Sequence, residues 1–421
     1  MAMDIRPNPL RDSFSKNDSS PAGPNENKIR LIIFAVVIVF IIIIGGAWYV
    51  LGAPGASEGV KRSIGKLPTA GNRNMRQTQQ GNGLSFQSQT PVPASNQSPL
   101  SGLICPNANR RPIAVMIGSD PINRPDSGFS LADAVVEMPA LTSNVTRLMA
   151  VFQCNEPKEI GSVRSARHDF LFLAKGMDAV ITHWGGSYWA LNMIKNESHV
   201  YDSISALGTG NGAFFRVSRY QPPYNGYTSY ANVWDALIKA GYHTTDRAPA
   251  YPHTDDTAVA QRGTGGTLDI GWPGSMRTRY VYNPTNNTYE RFWGGVKHVD
   301  GINNQQVEPK VLAVVYTQQR LANGPGGYND VDIENRPGLD QSQQKAEIYQ
   351  NGQVIPATWS KSIIDKQDPL HFKDASGNEI PFVRGQLWIS VVDQDTQVRW
   401  TPGVAAPAEL STGTTPANLG G

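Results

Sequence analysis

Arg164 and Arg167 stand three apart, just ahead of a helix-forming run, in the stretch Gly161 to Ser187, GSVRSARHDFLFLAKGMDAVITHWGGS. Guanidinium groups take carboxylates and phosphates through paired N–H donors. The stretch closes with Trp184-Gly185-Gly186-Ser187, where a strand passes through a glycine pair into a helix start. Such a turn can point backbone N–H groups at an anion. Arg124, Arg147, Arg216 and Arg219 occupy further loop or strand-end positions. If the six converge, they form a positive cleft with Gly185, Gly186 and Asn225 beside them. Tyr224, Tyr227, Trp184 and Trp189 are then available to stack on sugars. The competing reading pairs the arginines with Asp133, Glu137 or Asp169 as structural ion pairs, and leaves the glycines to allow close packing.

Acid–base chemistry has its own candidates. His183 ends a short apolar run, and Glu137 or Asp133 could serve as its carboxylate partner. A buried, hydrogen-bonded histidine is the plainer account of His183. Ser165 and Ser187 are possible nucleophiles only with an activating base, and helix capping explains both. His298 and Asp300 could ligate a metal, but Asp300-Gly301 reads as a turn. The chain has no H-E-x-x-H, G-x-S-x-G or P-loop motif. No metal and no cofactor are expected.

These residues need positioning elements. Ser162 or Ser165 can cap a helix whose Phe170, Leu171, Leu173 and Ala174 make a core stripe. Lys175 suits its last turn, and Gly176 a C′ position with positive φ. Asp178–His183 is strand-length, and Ser187 can cap a helix holding Trp189, Leu191 and Ile194. Pro112–Gly118, Ala134–Met138 and Val145–Phe152 read as strands. Ser229 or Asn232 can cap a helix through Val233, Trp234, Leu237 and Ile238. If Val145–Phe152 runs antiparallel beside Pro112–Gly118, Cys154 falls near Cys105 and a disulfide is reasonable; a parallel arrangement separates them. From about Gly265 the texture changes to short strands between Gly, Asn, Asp and Pro turns. These are Arg277–Tyr282, Glu290–Trp293, Val311–Thr317, Lys345–Tyr349 and Leu387–Val392.

The fold class expected is therefore an α/β domain (104–262) followed by a smaller β-rich domain (263–400). Ahead of them, residues 1–30 read as a disordered polar tail. Residues 31–51 contain no charged side chain, long enough for one transmembrane helix. Residues 52–103 are a Gln/Ser/Asn/Gly/Pro-rich flexible linker, and 401–421 a disordered tail. Lys61, Arg62 and Lys66 beyond the span nearly balance Lys28 and Arg30 before it. The latter abut the span and the short tail need not be translocated, so the N-terminus is expected inside and the folded part extracytoplasmic. The membrane is thus an expected partner. A formal net charge of +2 over 421 residues argues against nucleic acid. Two cysteines in an exported domain can form one bridge.

Several blocks are similar to the YerB family of extracytoplasmic bacterial lipoproteins. They include PIAVMIGSDPINRPDSGFSLADAVVE, TRLMAVF, IGSVRSARHDFLFLAKGMDAVITHWGGS and FFRVSRYQPPYNGYTS, then YERFWGGVKHVDG, YQNGQVIPATWSK and FKDASGNEIPFVRGQLWISVV. The resemblance covers Ile104 to Asp395 in block order. It implies a cell-surface protein of two domains with no established chemistry. Typical members carry a lipobox cysteine, which this chain lacks near Gly52, so the apolar span would be the anchor. Two functions remain: a tethered module binding an anionic envelope polymer, such as peptidoglycan, or a partner protein, and an envelope hydrolase or transferase using Glu137 or Asp133 with His183.

Overall fold

The computed structural model describes residues 96–141, 145–210, 212–322, 326–333, 344–362 and 364–403. The expected tail, span and most of the linker (1–95) lie outside these residues, as does 404–421. No helix among the described residues is long and apolar enough to cross a membrane. Packed structure begins ahead of Ile104: Leu100 is buried, and Ser101 donates to Asp133 Oδ1 at 2.7 Å.

Ten described strands form one mixed sheet. In chain order they are β1 (Ile113–Ile117), β2 (Ala134–Leu141), β3 (Val145–Phe152), β4 (Val180–His183), β5 (Ser203–Ser205), β6 (Val311–Thr317), β7 (Lys345–Gln350), β8 (Gln353–Ser360), β9 (His371–Lys373) and β10 (Leu387–Asp393). Their spatial order is β9-β8-β7-β6-β10-β2-β3-β1-β4-β5. β1, β2, β4, β5, β6 and β10 point one way, because β3 is antiparallel to both β1 and β2 and the other junctions among the six are parallel. The parallel pairing of Ala134–Glu137 with Leu387–Ser390 carries the sheet from the α/β region into the β-rich one. Strands buried on both faces read as continuous apolar runs, as IAVMI and LWISVV do.

Alternation assigns the two faces. Met116, Met138, Met149 and Ile181 share a core with helices α1 (His168–Gly176) and α2 (Tyr188–Asn196). Val115, Val135, Leu148 and Trp388 share the other core with helix α3 (Tyr230–Lys239) and a five-stranded antiparallel sheet. That smaller sheet runs Val296–Lys297, Thr288–Trp293, Thr278–Asn283, Gly266–Ile270, Val398–Pro402. The whole is a mixed α/β region with a large sheet, followed by a β-rich region.

Local signals held where capping chemistry set them: the Ser187 side chain accepts from Ala190 N, and Ser229 from Asn232 N. They failed at α1. Its N-cap is Arg167, without a side-chain cap, while Ser162 and Ser165 sit in the segment before it. Gly176 is the last helical residue, and the positive φ falls at Asp178 (49°). Gly176 is required by space instead, since a Cβ there would lie 2.8 Å from the Asp368 carbonyl oxygen.

Candidate functional site

The arginine segment rests on the carboxyl edge of the co-directional strands. Its backbone is fixed on both sides: Arg164 N donates to Met116 O (2.8 Å), Gly118 N to Ser162 O (3.2 Å) and Val163 N to Gly226 O (2.7 Å). Trp184 N donates to Arg164 O and Ser187 N to Ala166 O, both at 3.0 Å. The Trp184–Ser187 turn therefore spends two of its N–H groups anchoring this segment. The anion nest expected there is not what those groups form. Gly185 has φ 73°, and a Cβ on Gly186 would meet Leu191 Cδ2 at 2.9 Å, so the glycines serve the turn and its packing.

Four of the six arginines gather. Arg147, the third residue of β3, lies opposite Gly118 when the β1–β3 register is extended one step. Having no Cβ lets Gly118 admit Arg164, whose Cγ would be 3.0 Å from a Cβ placed there. Arg147 is buried, with Nε and Nη1 free of hydrogen-bond partners. Burial, then the like charges of Arg167 and Arg164, pull its guanidinium down to about 9, still a cation at neutral pH. Arg167 donates to the Ala166 carbonyl (2.9 Å) and lies over the Tyr328 ring, with Nε unpartnered. Burial lowers its pKa as well. Arg164 donates to Pro223 O (3.2 Å), stacks on Tyr224 and approaches Asp120 at 3.5 Å. Arg216 donates to Asn225 Oδ1 (2.5 Å) and lies over Trp184. Arg164 and Arg216, with Val163, Ser165, Trp184 and Pro223, line a cleft of about 190 Å³.

The other two arginines are elsewhere. Arg219 is held by Glu159 (3.0 Å), a bond that raises its pKa. Arg124 donates to Ser119 O (2.7 Å) and Ser275 O (3.0 Å) and covers Trp293; burial, then Arg291, bring it down to about 10. Trp184 and Tyr224 each have one face covered by an arginine, so stacking on a sugar is not open to that face.

The carboxylate–histidine pair expected from sequence does not form. Glu137 has the parity of Val135 and His183 that of Ile181, which places them on opposite faces of the sheet. β3 and β1 also intervene, three strand spacings or roughly 14 Å. Glu137 is wholly buried, 2.7 Å from Arg291 Nη2, and accepts from Thr146 Oγ1 at 3.1 Å. Asp133 accepts from Gln153 N (2.7 Å) and Cys154 N (2.9 Å), which ties it to the β2–β3 pair. Burial raises the pKa of both acids. His183 Nδ1 lies 2.6 Å from Gly185 O, which only accepts, so the proton sits on Nδ1. Burial lowers its pKa and keeps it neutral.

Sequence reasoning passed over Asp126. It is fully buried; its Oδ1 takes Ser162 N (3.0 Å) and the Asn123 amide, while Oδ2 has no partner. Its signal was the Asp/Asn/Pro density of the loop after β1. His168, Asp169 and Asp330 also cluster, with His168 Nε2 3.2 Å from both acids. Val331 N reaches Asp169 and Arg320 reaches Asp330, so an ion-pair network accounts for them. His298 accepts from Arg291 at 2.8 Å and Asp300 from Gly128 N at 2.9 Å, both structural. Cys105 and Cys154 are bonded, with Cα atoms 5.6 Å apart.

These features define a mixed α/β protein whose two halves share one sheet, with four of the six arginines gathered at the carboxyl ends of its co-directional strands. Residues 100–243 match the N-terminal domain, and 268–389 the C-terminal domain, of a protein family of unknown function, DUF3048. The chain belongs to that family. It is 31% identical over 300 residues to the Bacillus subtilis protein described as "Putative lipoprotein YerB", spanning 70% of this chain and 86% of that one. The crystal structure of the Bacillus subtilis YerB protein matches with a TM-score of 0.62 at 27% identity, covering 72% of this chain and 99% of that one.

Proposed function

We propose that the chain is a membrane-attached, extracytoplasmic module of the cell envelope that binds an anionic polymer or partner through Arg147, Arg164, Arg167 and Arg216. The observation that carries this reading is the buried Arg147 guanidinium with two unpartnered nitrogens. A charge taken out of water without a partner costs several kcal/mol, and proteins keep such costs where a ligand offsets them. Position supports it too, because ligands of open α/β sheets collect outside the carboxyl ends of parallel strands. The word lipoprotein in the relative's description supports membrane attachment, here through the apolar span at 31–51. A hydrolase built on Glu137 or Asp133 with His183 is not retained, since those groups do not meet.

The test is retention of the detergent-solubilised protein on envelope polymer, peptidoglycan sacculi with and without their wall-bound anionic polymers. An Arg164→Ala/Arg216→Ala variant should be retained at least tenfold less. Equal retention by the folded double variant would refute the cleft.

A further inference from the structure

We propose that the group seated on Arg147, Arg164 and Arg167 is a phosphate oxyanion rather than a carboxylate; this rests on the anion-binding reading above. Charge balance is the first reason. Among the described residues, only one of Arg147, Arg164, Arg167 and Arg216 has a carboxylate within ion-pair distance, Arg164 with Asp120 at 3.5 Å. Asp126, the other acid near Arg147, is pushed by burial toward its neutral form. Asp169, the acid countering Arg167, is engaged by His168 and Val331 N. A surplus of more than one positive charge remains, and a single carboxylate would leave part of it unmatched.

Geometry is the second reason. A carboxylate is planar: one guanidinium fork meets it edge to edge and fills two of its roughly four acceptor sites, and the remaining sites lie in the same plane. Here the guanidiniums arrive from three elements: a strand start, the segment beside β1, and the N-cap of α1. Guanidiniums carried on three elements, with the charges of Arg164 and Arg167 both acting on Arg147, suit a tetrahedral group whose oxygens diverge. α1 begins at Arg167 with no side chain capping it, so the positive end of a nine-residue helix adds to the same field. The open cleft lined by Arg164, Arg216 and Pro223 lies against Arg164, where the rest of a phosphoester can be accommodated.

Titration calorimetry of the full-length protein in detergent tests this with four probes: glycerol 3-phosphate, poly(glycerol phosphate), N-acetylmuramic acid and acetate. Glycerol 3-phosphate or poly(glycerol phosphate) should bind at least tenfold more tightly than N-acetylmuramic acid. Whichever of the two binds more tightly identifies a terminal phosphate or a phosphodiester chain as the source. Arg147→Met should lose at least tenfold in affinity, while Arg147→Lys recovers part, since an ammonium serves phosphate as a point charge. N-acetylmuramic acid binding more tightly, with loss in Arg147→Met, would overturn the phosphate assignment and leave the anion site standing. Binding of no probe, or phosphate affinity unchanged in a folded Arg147→Met variant, would overturn both.

Discussion

Glu137 Oε2 and Arg291 Nη2 are 2.7 Å apart, and neither side chain is reached by solvent. The acid comes from β2 and the base from the Thr288–Trp293 strand, so this pair joins the two regions of the chain across the second core. Arg291 is further enclosed by Trp388, Trp293 and Tyr280, and bonds His298 Nδ1. Removing one partner of a buried pair strands the other charge, at about 3–5 kcal/mol. Arg291→Met should cost that much in urea unfolding. Arg291→Met with Glu137→Leu should recover a large part, and failure to recover would show that the hydrogen bonds outweigh the charges.

Arg147 is expected to behave in the opposite way. Its unpartnered nitrogens burden the fold, so Arg147→Met, close in volume, should leave stability unchanged or raise it by about 1–2 kcal/mol. Thermal unfolding read beside ligand affinity checks this. A large loss of stability would mean the guanidinium has a structural role.

Gly161 is constrained by both angle and space. Its φ is 152°, and a Cβ would fall 2.7 Å from the Tyr227 ring and 3.0 Å from the Gly226 carbonyl oxygen. Gly161→Ala should cost about 1–3 kcal/mol. Because Ser162 to Arg167 follow directly, ligand affinity should fall as well; a folded variant with full affinity would separate the two effects.

The Cys105–Cys154 bridge closes a loop with a sequence separation of 49. Cys105→Ser/Cys154→Ser should lose about 2–4 kcal/mol by the chain-entropy account. Chemical denaturation with and without reductant measures it, and reductant should move the wild type but not the variant.

His371 gives the fold a pH dependence. Glu379 at 2.9 Å and Asp368 at 2.8 Å push its imidazole up to about 9. A folded-state pKa above the unfolded value near 6.5 means the native state holds the extra proton. The stability it contributes is therefore complete below about 6.5 and lost as pH rises through about 9. The site is partly solvated, so the effect is smaller than full linkage. His371→Gln should flatten stability between pH 6.5 and 9.5 in urea titrations; an unchanged slope would remove His371 as the cause.

What the sequence determined by itself was local. IAVMI, VTRLMAVF and LWISVV could only be buried strands, because their apolar runs are of strand length. Ser187 and Ser229 marked helix starts, because a hydroxyl at an N-cap is a short-range interaction. The family was legible for a similar reason, in blocks kept in order. Tertiary structure decided what depends on strand order and on the face a residue takes. Glu137 and His183 both looked like free acid–base groups, until the order β2-β3-β1-β4 set them three spacings apart on opposite faces. Arg291, which neutralises Glu137, lies 154 residues away, beyond any local pattern. The six arginines were indistinguishable by spacing, and only packing separated Arg219, matched by Glu159, from Arg147, left unmatched. Charge pairing is a property of three-dimensional neighbours, and it is that pairing which singles out the candidate site.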